Sequence, residues 1–330
     1  MSRIVCGENP TLARECWVNA CVVGRIFNAW RVGIHPTYGT SMNTFPPISL
    51  TAHIAGPVRW VAGAPCLPLV LPEGSGSLEG SIAGRYFLAR CGEEVDGERT
   101  EWSLYLRRPL YAVQQRATLQ QRAALQQQAA VQLPGDEWLL HLPPDEDPGH
   151  GWLRRQAEGT AVDLLGPFGN GFALPDSGRN LLLLADLTDN PGWLALLLAL
   201  LEPMLDRGGR VTLLLRLDGT LGEAALSHLP IAVEVHTAPD EGAWEKALAT
   251  AIPWADQICA GVGRNRYGSL ARTIQSKRFR LEEGFCQILV QADILCGVGA
   301  CLACVIPTAN GGITRACTHG PVFDLTRLTQ

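Results

Sequence analysis

The chain has 330 residues, enough for two or three domains with their own cores, and an ordinary globular composition of 47% hydrophobic and 18% charged residues. A formal net charge of -5 offers no basic footprint and argues against nucleic acid as a partner. The apolar run at 193–201 is far shorter than the roughly 20 residues a membrane span needs, and eleven cysteines with nothing resembling a secretory leader point to a reducing, cytoplasmic setting.

Residues 1–47 read as an extension of unknown role, in which Cys16 and Cys21 repeat a C-x4-C spacing without further partners nearby. From residue 48 onward, short β-prone stretches alternate with Gly/Pro turns: Ile48-Ser-Leu-Thr-Ala-His-Ile54, Leu67-Pro-Leu-Val-Leu71, Arg85-Tyr-Phe-Leu-Ala-Arg90 and Trp102-Ser-Leu-Tyr-Leu106. Strands at this spacing predict an antiparallel barrel. The last of them runs into Arg107-Arg108-Pro109-Leu110-Tyr111, where two arginines at a strand end offer planar donors to a diphosphate, although such a pair is also common on a solvated edge. Residues 114–132 are rich in Gln, Ala and Leu and read as an inserted exposed helix or a low-complexity loop.

The barrel resumes with Glu137-Trp-Leu-Leu-His-Leu142 and Thr160-Ala-Val-Asp-Leu-Leu165, separated by a glycine-bearing turn, Asp147-Pro-Gly149-His150-Gly-Trp152. Gly166-Pro-Phe-Gly-Asn-Gly-Phe172 specifies a rigid exit. A different pattern follows: an apolar strand at 181–185, a buried helix at 193–205, strands at 210–215, 231–236 and 256–260, and a helix at 241–251. This order implies a parallel sheet of nucleotide-binding type. A dinucleotide needs glycines in the first strand-to-helix turn, where this chain has Ala185-Asp186-Leu-Thr-Asp189-Asn-Pro-Gly192. Two carboxylates there would repel a diphosphate, unless Asp189 serves only as a helix N-cap.

The C-terminal segment carries Cys296-Gly-Val-Gly-Ala-Cys301-Leu-Ala-Cys304, with Cys317 twelve intervening residues further on. C-x4-C-x2-C…C is the spacing of plant-type [2Fe–2S] proteins, and Gly297 and Gly299 let the backbone curl around a small core and present amides to sulfur. The rival, a four-cysteine zinc site, usually pairs two C-x2-C knuckles, and only one is present. The other seven cysteines have no metal-like spacing and read as core or surface residues.

Taken together these motifs resemble the electron-transfer subunits of class 1B dihydroorotate dehydrogenase, in the ferredoxin reductase-like superfamily. The resemblance rests on the cysteine loop, on Arg315-Ala-Cys317-Thr-His-Gly320-Pro-Val-Phe-Asp324, on Leu165-Gly-Pro-Phe-Gly-Asn-Gly-Phe172, and on Leu106-Arg-Arg-Pro109. It implies an α+β multidomain fold: a flavin-binding antiparallel β-barrel at 48–178, a parallel α/β nucleotide-binding-like domain at 179–279, and a small [2Fe–2S] domain at 280–330. It implies an FAD contacted by Arg108, Pro109, Leu110, Tyr111, Gly149 and His150, and a cluster ligated by Cys296, Cys301, Cys304 and Cys317. The implied partner is an FMN-containing dihydroorotate dehydrogenase catalytic subunit in a hetero-oligomer serving pyrimidine biosynthesis.

Tyr111 stands where the family has serine and His150 where it has threonine. Residues 185–189 replace the glycine-rich NAD loop, so no residue is assigned to NAD, and Cys259-Ala-Gly-Val262 departs from the family's Cys-Gly-Pro. The expected function is electron transfer through [2Fe–2S] and FAD to an acceptor other than NAD. The alternatives are a related subunit of a hydrogenase, sulfite reductase or transhydrogenase complex, or a structural subunit that passes no electrons.

Overall fold

The computed structural model describes residues 48–72, 82–92, 94–95, 98–99, 101–116, 136–219, 225 and 229–329. The expectations for residues 1–47, and for the Gln-rich segment beyond residue 116, fall outside them. Among the described residues, nine strands make the first half: β1 Ile48–Ile54, β2 Arg59–Val61, β3 Ala64–Leu71, β4 Tyr86–Ala89, the small hairpin β5 Glu94–Val95 and β6 Glu98–Arg99, β7 Arg108–Arg116, β8 Asp136–His141 and β9 Ala161–Phe168. The main sheet runs β1-β9-β4-β7-β8-β3-β2, and β3 also pairs with β1, which closes six antiparallel strands into a barrel.

Period-2 alternation divides each strand between two jobs. Phe87, Leu110, Ala112, Leu67, Leu69 and Trp138 fill the barrel, with Phe87 and Trp138 edge to face at 5.4 Å, while Tyr86, Leu88, Tyr111 and Val113 point outward to pack on the second half of the chain. Each apolar side chain so buried stabilises the fold by about 1.5–3 kcal/mol.

The second half is a sheet in the order β12-β11-β10-β13-β14-β17, built from β10 Asn180–Asp186, β11 Arg210–Arg216, β12 Val233–Ala238, β13 Gln257–Gly261, β14 Cys286–Leu289 and β17 Val322–Asp324. All pairs are parallel except β14 with β17. Residues 181–185 of β10 are fully buried, as a central parallel strand covered on both faces requires. The hairpin of β15 Val305–Pro307 and β16 Ile313–Arg315 and the short helix Ala316–His319 precede β17.

Three local expectations are corrected. Residues 102–106 are not a strand: Trp102–Leu104 is a 3-10 turn, because the Arg108 guanidinium gathers the carbonyls of Ser103 and Leu106, and the strand begins at Arg108 and continues through residue 116. Residues 147–152 are not an open turn but the start of helix Pro148–Arg154, N-capped by Asp147. The helix expected at 193–205 is broken into Trp193–Leu197, a 3-10 turn and Leu201–Asp206, since Pro203 has no N–H for the carbonyl one turn back.

The exit loop Gly166-Pro-Phe-Gly-Asn-Gly-Phe172 docks on the C-terminal Gly320-Pro-Val322. The Asn170 amide N–H bonds the Gly320 carbonyl at 3.1 Å, and its side chain exchanges bonds with Val322 at 2.6 and 3.1 Å. The two motifs therefore form one joint between barrel and sheet.

Candidate functional site

The loop after β14 curls so that its cysteines meet Cys317 from helix Ala316–His319. Gly297 and Gly299 hold φ of 70° and 75°, and a Cβ on Gly297 would lie 2.9 Å from Leu88 and 3.0 Å from Phe168. The thiols neighbour one another in the order Cys301, Cys296, Cys317, Cys304. Cys296 thus lies between Cys301 and Cys317, and Cys317 between Cys296 and Cys304, so the four thiols form one continuous group. Among the described residues no group of three or more His, Cys, Asp or Glu is placed to hold a single metal ion.

The Cys296 thiol is held well below its ordinary pKa, first by the Cys317 hydrogen bond and then, against burial, by the Cys301 and Val298 amides. These N–H groups aimed at sulfur are what the two glycines make possible. Cys304 and Cys317 are buried and Cys301 is exposed. The donor set fits an iron–sulfur cluster.

Against this loop lies a cavity of about 500 Å³ between barrel and sheet, walled by Arg108, Pro109, Tyr111, His150, Trp193 and Ala303 among others. Four of the flavin contacts implied by the sequence thus share one cavity. Leu110, on the opposite face of β7, is sealed in the barrel core, leaving only its backbone available. Gly149 lies beneath the Arg108 side chain, where a Cβ would come within 2.8 Å of Cγ.

Among the described residues, Tyr111 Oη, His141 Nε2 and His150 Nε2 are buried without hydrogen-bond partners, and all three residues line the cavity. Such groups ask for a ligand, because leaving them unpaired costs about 1–3 kcal/mol each. The His150 Nδ1–H donates to Asp145 at 2.8 Å, which turns Nε2 away from that carboxylate. His141, also on the wall, has its pKa lowered to about 4 by burial and then by His150. On these orphaned atoms the cavity fits a flavin.

Tyr86 links cavity and cysteines. Its ring packs 5.6 Å from Tyr111 and 5.5 Å from Phe168, and its hydroxyl donates to the Cys317 carbonyl at 3.4 Å.

The nucleotide crevice lies where strand order reverses, between β10 and β13. Trp193 covers it, so close that a Cβ on Gly261 would lie 2.6 Å from its ring. Asp186, at the end of β10, is 2% exposed and ion-paired with Arg266 and, at 3.5 Å, with Arg216; it also accepts from the Thr188 hydroxyl at 2.6 Å. Arg266 also grips Glu241 through two bonds of 2.8 and 2.9 Å.

Burial alone would raise the Asp186 pKa, but the Thr188 and Arg266 hydrogen bonds and the two arginine charges outweigh it and hold the carboxyl below its usual range. Asp186 is therefore a neutralised plug, not the bare repelling charge expected from sequence. Nor is Asp189 an N-cap: Gly192 occupies that position, and Asp189 accepts the Trp193 indole N–H at 3.2 Å. Cys259 is wholly buried in β13, and burial pushes its thiol up. The partnering of Arg266, Arg216 and Glu241 with this turn carries no signal in the sequence.

An antiparallel barrel joined to a parallel sheet, with a cavity at the joint and four thiols beside it, has a ferredoxin reductase-like fold with a cysteine-bearing C-terminal segment. The solved structure of an NADH-dependent reduced ferredoxin-NADP oxidoreductase shares this fold, with a TM-score of 0.56 and 17% identity over 88% of this chain and 90% of that one.

Within that class, residues 292–329 match the iron–sulfur cluster binding domain of dihydroorotate dehydrogenase B. The electron-transfer subunit of dihydroorotate dehydrogenase B (NAD(+)) from Shouchella clausii is 29% identical over 52% of this chain and 67% of its own length. Its counterpart from Bacillus caldolyticus is 28% identical over 54% and 69%. The chain is thus similar to these subunits over about half of its length, and its residues 292–329 to their cluster-binding domain. Among the described residues no helix is long and apolar enough to cross a membrane.

Proposed function

We propose that the chain is an electron-transfer subunit working through a [2Fe–2S] cluster on Cys296, Cys301, Cys304 and Cys317 and an FAD in the adjoining cavity. The observation that carries this is the gathering of four thiols beside that cavity, with Ala303, between two of the thiols, in its wall. The similarity to the dihydroorotate dehydrogenase B subunits supports an FMN-containing catalytic partner, dihydroorotate as the electron source, pyrimidine biosynthesis as the setting and the cytoplasm as the compartment. When bound, the flavin supplies the exchange between two-electron and one-electron chemistry, and the cluster carries single electrons.

The chain's own residues divide the work. Tyr111 and His150, on the cavity wall, keep Oη and Nε2 unpaired, with Asp145 fixing the imidazole, while the Arg108 guanidinium is held in that wall by Asp147, Ser103 and Leu106. The amides of Val298, Cys301 and Ala303 point at sulfur and tune its charge. Residues 48–178 act as the flavin-binding barrel, 179–279 as a nucleotide-binding-like domain and 280–330 as the cluster domain. Trp193 packed on Gly261 and the Asp186–Arg266 pair, standing where a pyridine nucleotide wants glycines, support an acceptor other than NAD.

Anaerobic purification followed by iron, sulfide and flavin analysis tests the reading. About two irons, two sulfides and one FAD per chain are expected, with visible bands bleached by dithionite but unchanged by NADH. Zinc in place of iron sinks the cluster, rapid bleaching by NADH sinks the acceptor assignment, and iron with sulfide but no flavin leaves a structural subunit.

A further inference from the structure

Alternation along β4 sends Tyr86 and Leu88 out of the barrel, and with Phe168 of β9 they make the floor on which the cysteine loop rests. Leu88 and Phe168 lie directly against Gly297, where a Cβ would come within 2.9 and 3.0 Å of them. Around them the setting is apolar, with Ile294, Ile306 and Ala316 sharing one buried core with Cys304 and Cys317. Into this core Tyr86 puts a hydroxyl, on a side chain that is fully buried. A bare phenyl ring would fill the space, and a hydroxyl taken out of water is costly unless it is hydrogen-bonded.

The partner comes from the far end of the chain. Tyr86 Oη donates to the backbone carbonyl of Cys317 at 3.4 Å, a long bond spanning 231 positions of sequence. The ring that carries it is fixed on two sides, stacked on Phe168 at 5.5 Å and tilted against Tyr111 at 5.6 Å. Burial first, then the charges of Cys317, Tyr111, Cys304 and Cys296, push the phenol up, so it remains a protonated donor and stands within electrostatic reach of three of the four thiols.

We propose that Tyr86 is a positioning residue for the iron–sulfur cluster, its O–H holding the Cys317 carbonyl and turning the positive end of its dipole toward the ligand set, which raises the cluster's reduction potential. This rests on the cluster reading above and deepens it, because the loop amides act on sulfur from beside it whereas Tyr86 acts from the barrel. A reduced cluster carries one more negative charge than an oxidised one, so a fixed donor in a dry core favours the reduced form. The step concerned is the uptake of one electron at the cluster; no bond forms or breaks at Tyr86, and its proton stays on oxygen.

The test is a mediated redox titration of the full cluster-loaded chain with dithionite as reductant, the reduced cluster being followed by electron paramagnetic resonance. Tyr86→Phe keeps the ring between Tyr111 and Phe168 and removes only the donor. It is expected to retain about two irons per chain and to lower the one-electron reduction constant about threefold, or roughly 30 mV at about 59 mV per tenfold, the scale of a long neutral hydrogen bond. A ring-fluorinated tyrosine at the same position, a stronger donor of nearly the same volume, is expected to raise the constant. Should Tyr86→Phe take up no cluster, the fluorinated chain decides by itself: a rise supports the proposal and no rise overturns it. A constant within about 1.5-fold of native in Tyr86→Phe, or shifts of the same sign in the two chains, overturns it as well and leaves Tyr86 a packing residue. If the native chain itself holds no iron and sulfide, the cluster reading fails, which is a separate result.

Discussion

The cysteine loop at 296–304 and the turn at 185–192 stand in comparable places, each a short bend after a strand of the same sheet, and they handle charge in opposite ways. In the loop, residues close in sequence supply all but one of the thiols, and Gly297 and Gly299 make room for them against Leu88, Phe168 and Thr318. In the turn, the charged residue is answered from far along the chain: Asp186 by Arg216 and by Arg266, which in turn holds Glu241. The first is built to receive a group, and the second has been closed by the chain's own side chains.

The sharpest way to break that comparison is at the one distant member of the cysteine set. Cys317→Ser removes the thiol supplied by the helix after β16, and a [2Fe–2S] core with three thiolates is not held by this loop. Iron and sulfide are expected to fall nearly to zero with the visible bands, while far-UV circular dichroism stays close to native. Arg266→Met should do the reverse, leaving the iron content intact. Full iron retention in Cys317→Ser would remove it from the ligand set.

The next effect lies in the closed turn. Arg266→Met leaves the 2%-exposed Asp186 carboxylate with Arg216, at 3.5 Å, as its remaining cation among the described residues, beside the Thr188 hydrogen bonds. Stripping one partner from a buried pair costs about 3–5 kcal/mol, whereas replacing both partners with apolar groups is often nearly neutral. Denaturant unfolding should therefore show a large loss in Arg266→Met, most of it regained in the double variant with Asp186→Leu. Equal losses in the two would mean that the guanidinium acts through its packing on Trp244, 5.7 Å from its ring, instead of its charge.

The same contrast explains what was legible in the sequence. The barrel, the parallel sheet and the cysteine set follow from alternation, apolar runs and spacing, all of which act between near neighbours. Misreadings arose where a particular side chain, near or distant, overrides the local pattern. Trp102-Ser-Leu-Tyr-Leu106 alternates like a strand, yet Arg108 folds back on its carbonyls and curls it. Asp147-Pro-Gly-His-Gly-Trp152 has the glycines of a turn, yet Asp147 caps a helix there and also holds Arg108. Arg266, in Gly263-Arg-Asn-Arg266, has nothing in its neighbourhood to announce a pairing with Asp186 eighty residues earlier.

The smallest effect sharpens the turn by pH. Because its folded pKa is depressed, Asp186 contributes stability that is fully present above the unfolded value of about 3.9 and is lost as pH falls through the lower folded value. Asp186→Asn lacks that contribution at every pH. The difference in unfolding free energy between native chain and variant is therefore expected to be constant from neutral pH down to about 5 and to shrink below about 4. Asp147, held low by Arg108 and the His150 amide, titrates alike in both proteins and cancels from the difference, whereas Glu241, which shares Arg266 with Asp186 and feels its charge, is held lower still in the variant. A difference that stays constant down to pH 3 would place the Asp186 contribution in its hydrogen-bond geometry and not in its charge, and the turn would then be closed by shape alone, with Trp193 over Gly261 as the element that closes it.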